Sequence, residues 1–393
     1  MRISLNSILV FLAFVACASA APGDDVAAAA ELERQAAFRA EFSEIVDDLN
    51  VGSFDKFIAA TDKQDIVERI FGLRLIDQKV KKQFRDSLEY NYDGMIKSAF
   101  SESKETVKAR LLGFESRGDR GRAVVRFDLP DFQFGYHEYE LRQDDKGHVV
   151  VVDWIDFLKG EQFTEGMGLA LIMAAPGKPA VRKLLDFQNI RDRDVFQLTE
   201  LLKAARDRQL DRYYEILGGL DERLQRQRVV VLTSVQLTKT VRNRRQMRTA
   251  LSEMAKYYPE EPLYSLMLLD YFFPTRRYEA AFEALSRLDQ RLGVEDAAMR
   301  ARQSAAALVM GNAEDAGAYA DDALVLENDL ELAWWSALRA RAALEYFDEA
   351  VLALTALETR FGHTLGPEAL QRDPGFSRLL ASEAYRKWVA GRQ

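Results

Sequence analysis

A chain of 393 residues that is 48% hydrophobic and 30% charged is long enough for two or three domains and apolar enough to build their cores. Its net charge of −8 sets it apart from general nucleic-acid binders, which carry a basic field, so no nucleic-acid partner is expected. Past residue 20 the longest apolar run, 167–175, is about half of what a bilayer-crossing helix needs.

The first twenty residues have the layout of a secretory signal. Arg2 gives a positive start, residues 8–16 are apolar, and Ala18, Ser19 and Ala20 form a small-residue cleavage site. The expectation is export to the periplasm or beyond. Cys17 is the single cysteine. Cleavage after Ala20 leaves a cysteine-free chain without disulfides, thiol catalysis or cysteine-held metal. Alternatively Val15, Ala16 and Cys17 resemble the end of a lipoprotein box, with Phe14 where leucine is usual, and Cys17 is lipid-anchored.

Helical spacing of Leu32, Phe38, Phe42, Ile45, Val46 and Leu49 predicts one amphipathic helix within residues 21–52. Gly52 and Ser53 break it, and Ser53 caps a short run through Phe57. A helix from Asp62 carries Ile66, Ile70 and Phe71 and stops at Gly72. A longer one spans 77–100, with Val80, Phe84, Leu88, Tyr92 and Ile96 about four apart. The period then falls to two, predicting strands over 106–116, 122–129, 132–142 and 149–157 between turns at Gly118, Pro130 and the 144–147 stretch. The outcome is an α+β domain over 53–175, a curved four-stranded antiparallel sheet with the long helix in its concave face. Element order and the 153–161 segment resemble the nuclear-transport-factor-two-like and cystatin-like folds across 53–165. Members of such folds include enzymes, binding modules and structural domains, so the fold alone selects no function.

Ala174 to Pro179 mark an elbow, followed by a linker over 176–193 with a short connecting helix at 181–187. Beyond it Tyr213, Met247, Ala281, Ala316 and Ala350 recur 34, 34, 35 and 34 residues apart, each just after a turn. That period predicts stacked helical hairpins, because one hairpin cannot bury its apolar face alone. The triplets Ala281, Leu285, Leu288; Ala316, Ala320, Ala323; and Ala350, Leu354, Leu357 resemble the second helices of tetratricopeptide repeats (TPR), and the resemblance covers 194–364. Tyr278 and Phe347 occupy the aromatic position before the alanine. Met247 and Tyr213 depart from the small-residue pattern, leaving three sound repeats behind two degenerate ones. Residues 365–393 read as a capping helix with Leu379, Leu380, Tyr385 and Trp388 on its apolar side.

The resemblance implies an all-α TPR-like helical-hairpin solenoid whose groove includes Leu232, Gln236, Lys239, Leu263, Leu266, Asp270, Phe273, Arg302, Ala305, Trp335 and Arg339. Partner-binding candidates are Gln236, Lys239, Leu266, Asp270, Phe273, Arg302, Trp335 and Arg339. The lysines and asparagines with which some members clamp a terminal carboxylate are replaced by Leu266, Asp270, Ala298 and Arg302. Two occupants stay open: an amphipathic helix or apolar peptide of a partner, or the first domain of the same chain.

Catalytic signals are sparse. Only His137, His148 and His363 exist, none at ligand spacing, so no metal or cofactor is expected. His137, among Phe132, Phe134, Tyr136 and Tyr139, is a base only if Asp153 or Asp156 orients it in a cavity, and strand alternation puts Asp156 on the Trp154 face and Asp153 on the other. Between Arg223 and Arg248 eight cations occur without an acid. Arg226, Arg228, Arg242, Arg244, Arg245 and Arg248 are candidates for an anionic lipid surface, peptidoglycan or an acidic partner, or form a solvated face balanced elsewhere. The reading that joins these features is an exported, non-catalytic adaptor of the bacterial cell envelope that binds a protein or peptide. The alternatives are a hydrolytic or small-molecule-binding α+β domain docked by the helical region, and a structural role through assembly of the basic belt.

Overall fold

The structure, a computed structural model, describes residues 22–72, 78–100, 108–174, 181–182, 184–185 and 190–391, with side chains from 29 onward except at 72, 78–81 and 83. The signal and Cys17 lie outside the described residues, as does most of the linker. Among the described residues no helix is long and apolar enough to cross a membrane.

Five helices open the chain: α1 (Pro22–Asn50), α2 (Asp55–Ala60), α3 (Lys63–Gly72), α4 (Gln78–Tyr90) and α5 (Tyr92–Ala99). Asp62 starts α3 by accepting the Asp65 amide at 3.0 Å. Ser53 does not cap α2 in the expected way: Phe54 holds the cap position. The single helix expected over 77–100 is two, because Asn91 leaves helical geometry at φ −102° and ψ 22°. The break turns Tyr92, Met95 and Ile96 onto the sheet while Phe84 and Leu88 stay half-buried.

The sheet is an antiparallel meander in the order β1 (Lys108–Arg117), β2 (Arg120–Asp128), β3 (Phe134–Gln143), β4 (Val149–Asp156), β5 (Glu161–Gln162). The fifth strand corrects the expected four; at two residues it is too short to show a period. Alternation divides β2 and β3 between two cores. Ala123, Val125, Phe127, Tyr139 and Leu141 face Phe38, Phe42, Phe57 and Ile96 of the N-terminal helices. Val124, Phe134 and Tyr136 face the other way, onto Leu285, Leu288, Leu292 and Met299 of the C-terminal region. The sheet is therefore buried on both sides, and each fully buried Leu or Phe contributes about 2 kcal/mol.

After α6 (Phe163–Ala174) the described elements are all helical: α7 (Asp192–Arg206), α8 (Leu210–Gly218), the short α9 (Glu222–Gln225), α10 (Arg228–Thr240), α11 (Arg244–Tyr257), α12 (Ser265–Phe272), α13 (Tyr278–Leu292), α14 (Ala297–Val309), α15 (Ala313–Leu326), α16 (Glu331–Ala343), α17 (Phe347–Phe361), α18 (Pro367–Leu370), α19 (Ser377–Ala381) and α20 (Glu383–Ala390). Five of its turns share one hydrogen-bond pattern. Gln209, Asn243, Arg277, Asn312 and Tyr346 each send a backbone N–H to the carbonyl five residues back, at 2.9–3.0 Å. The residue before each has positive φ: Arg208, Arg242, Arg276, Gly311 and Glu345. This is a helix C-terminal closure through a left-handed residue. Glycine takes that conformation freely, and arginine or glutamate does so at a cost of about 1 kcal/mol.

Four residues after each of those N–H donors come Tyr213, Met247, Ala281, Ala316 and Ala350, whose amides bond the donor's own carbonyl at 2.8–3.0 Å. The periodic residues of the sequence thus occupy equivalent first-turn positions. Ala281, Ala316 and Ala350 are wholly buried. Tyr213 is buried too, because its hydroxyl finds Ser234 Oγ at 2.8 Å and the Val230 carbonyl at 3.1 Å. The last helices close the end, where Leu379 and Tyr385 pack on Leu354 and Leu357.

Candidate functional site

Where the sheet meets the helices, charge is concentrated at Arg126, a fully buried cation in the middle of β2. Its Nε donates to Asp128 at 2.6 Å, Nη2 to Glu327 at 2.9 Å, and Nη1 to Asp296. Tyr136 donates its hydroxyl to Asp296 Oδ2 at 2.5 Å, and Asp296 also caps α14 through the Met299 amide at 3.0 Å. Arg110 reaches Glu327 at 2.7 Å. Burial opposes the Arg126 charge, but Asp296, Asp128 and Glu327 outweigh it and hold the guanidinium more firmly protonated than usual. A second bridge lies alongside. Arg291 donates to Glu138 at 2.8 Å and Arg122 to Glu138 at 2.9 Å and to the Leu292 carbonyl at 2.7 Å. Burial works against the charged Glu138, and the two arginines overcome it, lowering its pKa.

This junction occupies part of the groove proposed from the sequence. Leu266 packs beneath Val124, Phe134, Tyr136 and Phe157 and is covered, so it is corrected from a surface anchor to a core residue. Phe273 is half-buried against the same cluster. Arg302 donates to the Phe132 carbonyl and lies 5.5 Å over the Phe134 ring. Gln236 bonds Glu161 of β5. At the other end of the proposed groove Trp335 is half-buried. Its Nε1 donates to Glu331 at 3.0 Å, and its ring meets His363 edge-on at 5.4 Å and lies under Arg339 at 5.5 Å. Arg339, which stays exposed, reaches Asp373 at 3.5 Å.

Three charged groove candidates stay accessible. Lys239 and Asp270 are solvent-exposed, and Arg302 is half-exposed. Crowding by surrounding protein raises the Asp270 pKa, with Lys239 and Arg302 pulling it partly back. The same crowding lowers that of Arg302, with Tyr136 and Asp270 opposing. A cation–anion–cation row is suited to a polar peptide backbone or a zwitterionic side-chain pair.

His137 is packed into the core of the first domain. It is 2% exposed, its ring 4.6 Å from Phe127, 5.4 Å from Phe100 and 5.7 Å from Tyr139. Nδ1 lies 2.9 Å from the Tyr139 hydroxyl and Nε2 3.6 Å from Asp156, which Lys159 holds at 3.1 Å. Burial disfavours the Asp156 charge, yet His137 and Lys159 outweigh it and hold the carboxyl below its ordinary range. Asp153 faces away and accepts from Thr164 Oγ1 at 2.5 Å and Gln162 at 2.7 Å, anchoring the start of α6. Among the described residues no three His, Cys, Asp or Glu side chains gather as a metal site.

All six candidate arginines of the basic run are exposed. Arg228 turns to the first domain, 3.9 Å from Glu165 and 5.8 Å over Tyr264, and the exposed Arg226 offers its carbonyl to the Tyr258 hydroxyl. Arg242, Arg244, Arg245 and Arg248 are exposed around the turn into α11.

No family model matches the chain, and no curated protein matches it either. The residues that sequence reasoning missed are Arg126, Asp296, Glu327, Tyr136 and Glu138. One signal was available: an arginine set directly between Val125 and Phe127 within a predicted strand. One acidic partner, Asp128, is two residues on, but Asp296 and Glu327 lie 170 and 201 residues away, beyond any local pattern.

Proposed function

We propose that this protein is an exported, non-catalytic adaptor whose C-terminal half is a TPR-like hairpin solenoid and whose α+β domain fills one stretch of the solenoid's groove. The observation that carries the reading is the set of five turns with one hydrogen-bond pattern, spaced 34, 34, 35 and 34 residues apart and placing Tyr213, Met247, Ala281, Ala316 and Ala350 equivalently. Such an array presents a concave surface, and Lys239, Asp270 and Arg302 are accessible along it. The partner is a protein or peptide segment of the cell envelope, held by charge alternation rather than by a deep apolar slot.

The test is capture from a detergent-solubilised envelope extract by the wild-type chain and by Asp270→Lys, which makes the row wholly cationic without touching the buried junction. Loss of the captured species in the variant, at unchanged melting temperature, is the expected result. Equal capture by both removes the groove reading.

A further inference from the structure

The turn into α11 and the turn into α13 lie side by side, because one open recess of about 550 Å³ is lined by Arg244, Arg245 and Arg248 from the first and by Tyr271 and Thr275 from the second. Arg242 and Arg276, the left-handed residues of those two turns, are exposed at the same two places in the chain. Arg277 lies 5.4 Å over the Tyr271 ring. Arg242, Arg244, Arg245, Arg248 and Arg276 form no ion pair among the described residues. Glu253, which also lines the recess, is 3.7 Å from Lys256. The arrangement works against stability on two counts. Arg244 and Arg248 are like charges four apart on one helix, and Arg244 and Arg245 sit in the first turn of α11, where the helix dipole disfavours cations and no acid is present to offset them. An anion from outside relieves both.

We infer that this recess and its rim bind a soluble linear polyanion, with phosphate or carboxylate groups spaced along an extended chain. Guanidinium forks match such oxyanions two bonds at a time. Tyr271 donates its hydroxyl to Ser252 Oγ at 3.1 Å, which leaves the Ser252 proton available to a ligand oxygen. A bilayer-seeking surface mixes exposed apolar side chains among its cations, and the recess has none. Single-stranded nucleic acid stacks on open aromatic faces, whereas the Tyr271 ring here is buried and covered by Arg277. The site is distinct from the groove and independent of what the groove holds.

Fluorescence anisotropy of the full chain with labelled polyphosphate in one arm and labelled polygalacturonate in the other decides it. The expected result is binding of at least one polymer at about 50 mM salt, weakened about tenfold or more by about 200 mM. The triple change Arg244→Ala, Arg245→Ala, Arg248→Ala loses at least about tenfold in affinity. The double change Arg242→Gly, Arg276→Gly keeps the left-handed turns and therefore the fold, so a loss of about threefold or more there carries the test even if the alanine variant unfolds. Preference for one polymer identifies phosphate or carboxylate as the recognised group. No binding of either polymer, affinity unchanged in both variants, or arginine-dependent capture of phosphatidylglycerol vesicles without polymer binding overturns the inference.

Discussion

Arg126 is where a single side chain decides most. A guanidinium with no exposure is tolerable only because Asp128, Asp296 and Glu327 surround it, and removing it would strand three carboxylates in the junction. Arg126→Leu keeps the volume and loses the charge. The expected cost is about 3–5 kcal/mol, read as a lower urea midpoint, because breaking a buried pair from one side leaves uncompensated charge. A midpoint within error of the parent would mean the carboxylates find water or protons instead. The contrast with the exposed pair Lys56 and Glu44 at 3.0 Å, worth about 0–1 kcal/mol, shows why burial and not ion-pair count ranks these contacts.

At the scale of elements, the helix-pair turns separate backbone demand from side-chain choice. Gly311, at φ +87°, has open space where a Cβ would sit, so Gly311→Ala tests the backbone alone and is expected to lose about 1 kcal/mol in thermal unfolding. The same geometry is met by Arg208, Arg242, Arg276 and Glu345 at that cost, which is why glycine could not be used to find these turns from the sequence. Their legible mark was instead the residue five positions on, where Ala281, Ala316 and Ala350 allow close helix approach. Strands were legible for a comparable reason: alternation over β2 and β3 follows from the pleat itself. The break at Asn91 was not, since Val80, Phe84, Leu88, Tyr92 and Ile96 continue one helical stripe across it. What divides the stripe is the sheet, which takes Tyr92 and Ile96 into its core.

For the whole molecule, the docking of sheet against helices carries a pH dependence. Glu161 sits where β5 meets α10, and burial raises its pKa to about 7, against smaller lowering by the Gln236 hydrogen bond and Lys159. Between the ordinary glutamate value of 4.5 and about 7 the folded chain keeps a proton that the unfolded chain releases, so stability falls as pH rises through that window. Glu161→Gln, which preserves the contact and cannot ionise, is expected to flatten the melting temperature between about pH 5 and pH 8 and to gain up to about 3 kcal/mol at the upper end. An unchanged slope would show that water reaches the carboxylate. By itself the sequence determined most of the elements and the 34-residue period, because alternation, helical stripes and turn chemistry act between residues a few positions apart. Only the tertiary structure decided that the sheet has two buried faces, that Leu266 is core, and that Trp335 is engaged by the chain's own end. Those outcomes rest on contacts such as Tyr136 to Asp296 and Arg126 to Glu327, between segments 160 and 201 residues apart, which meet only once the chain has closed on itself.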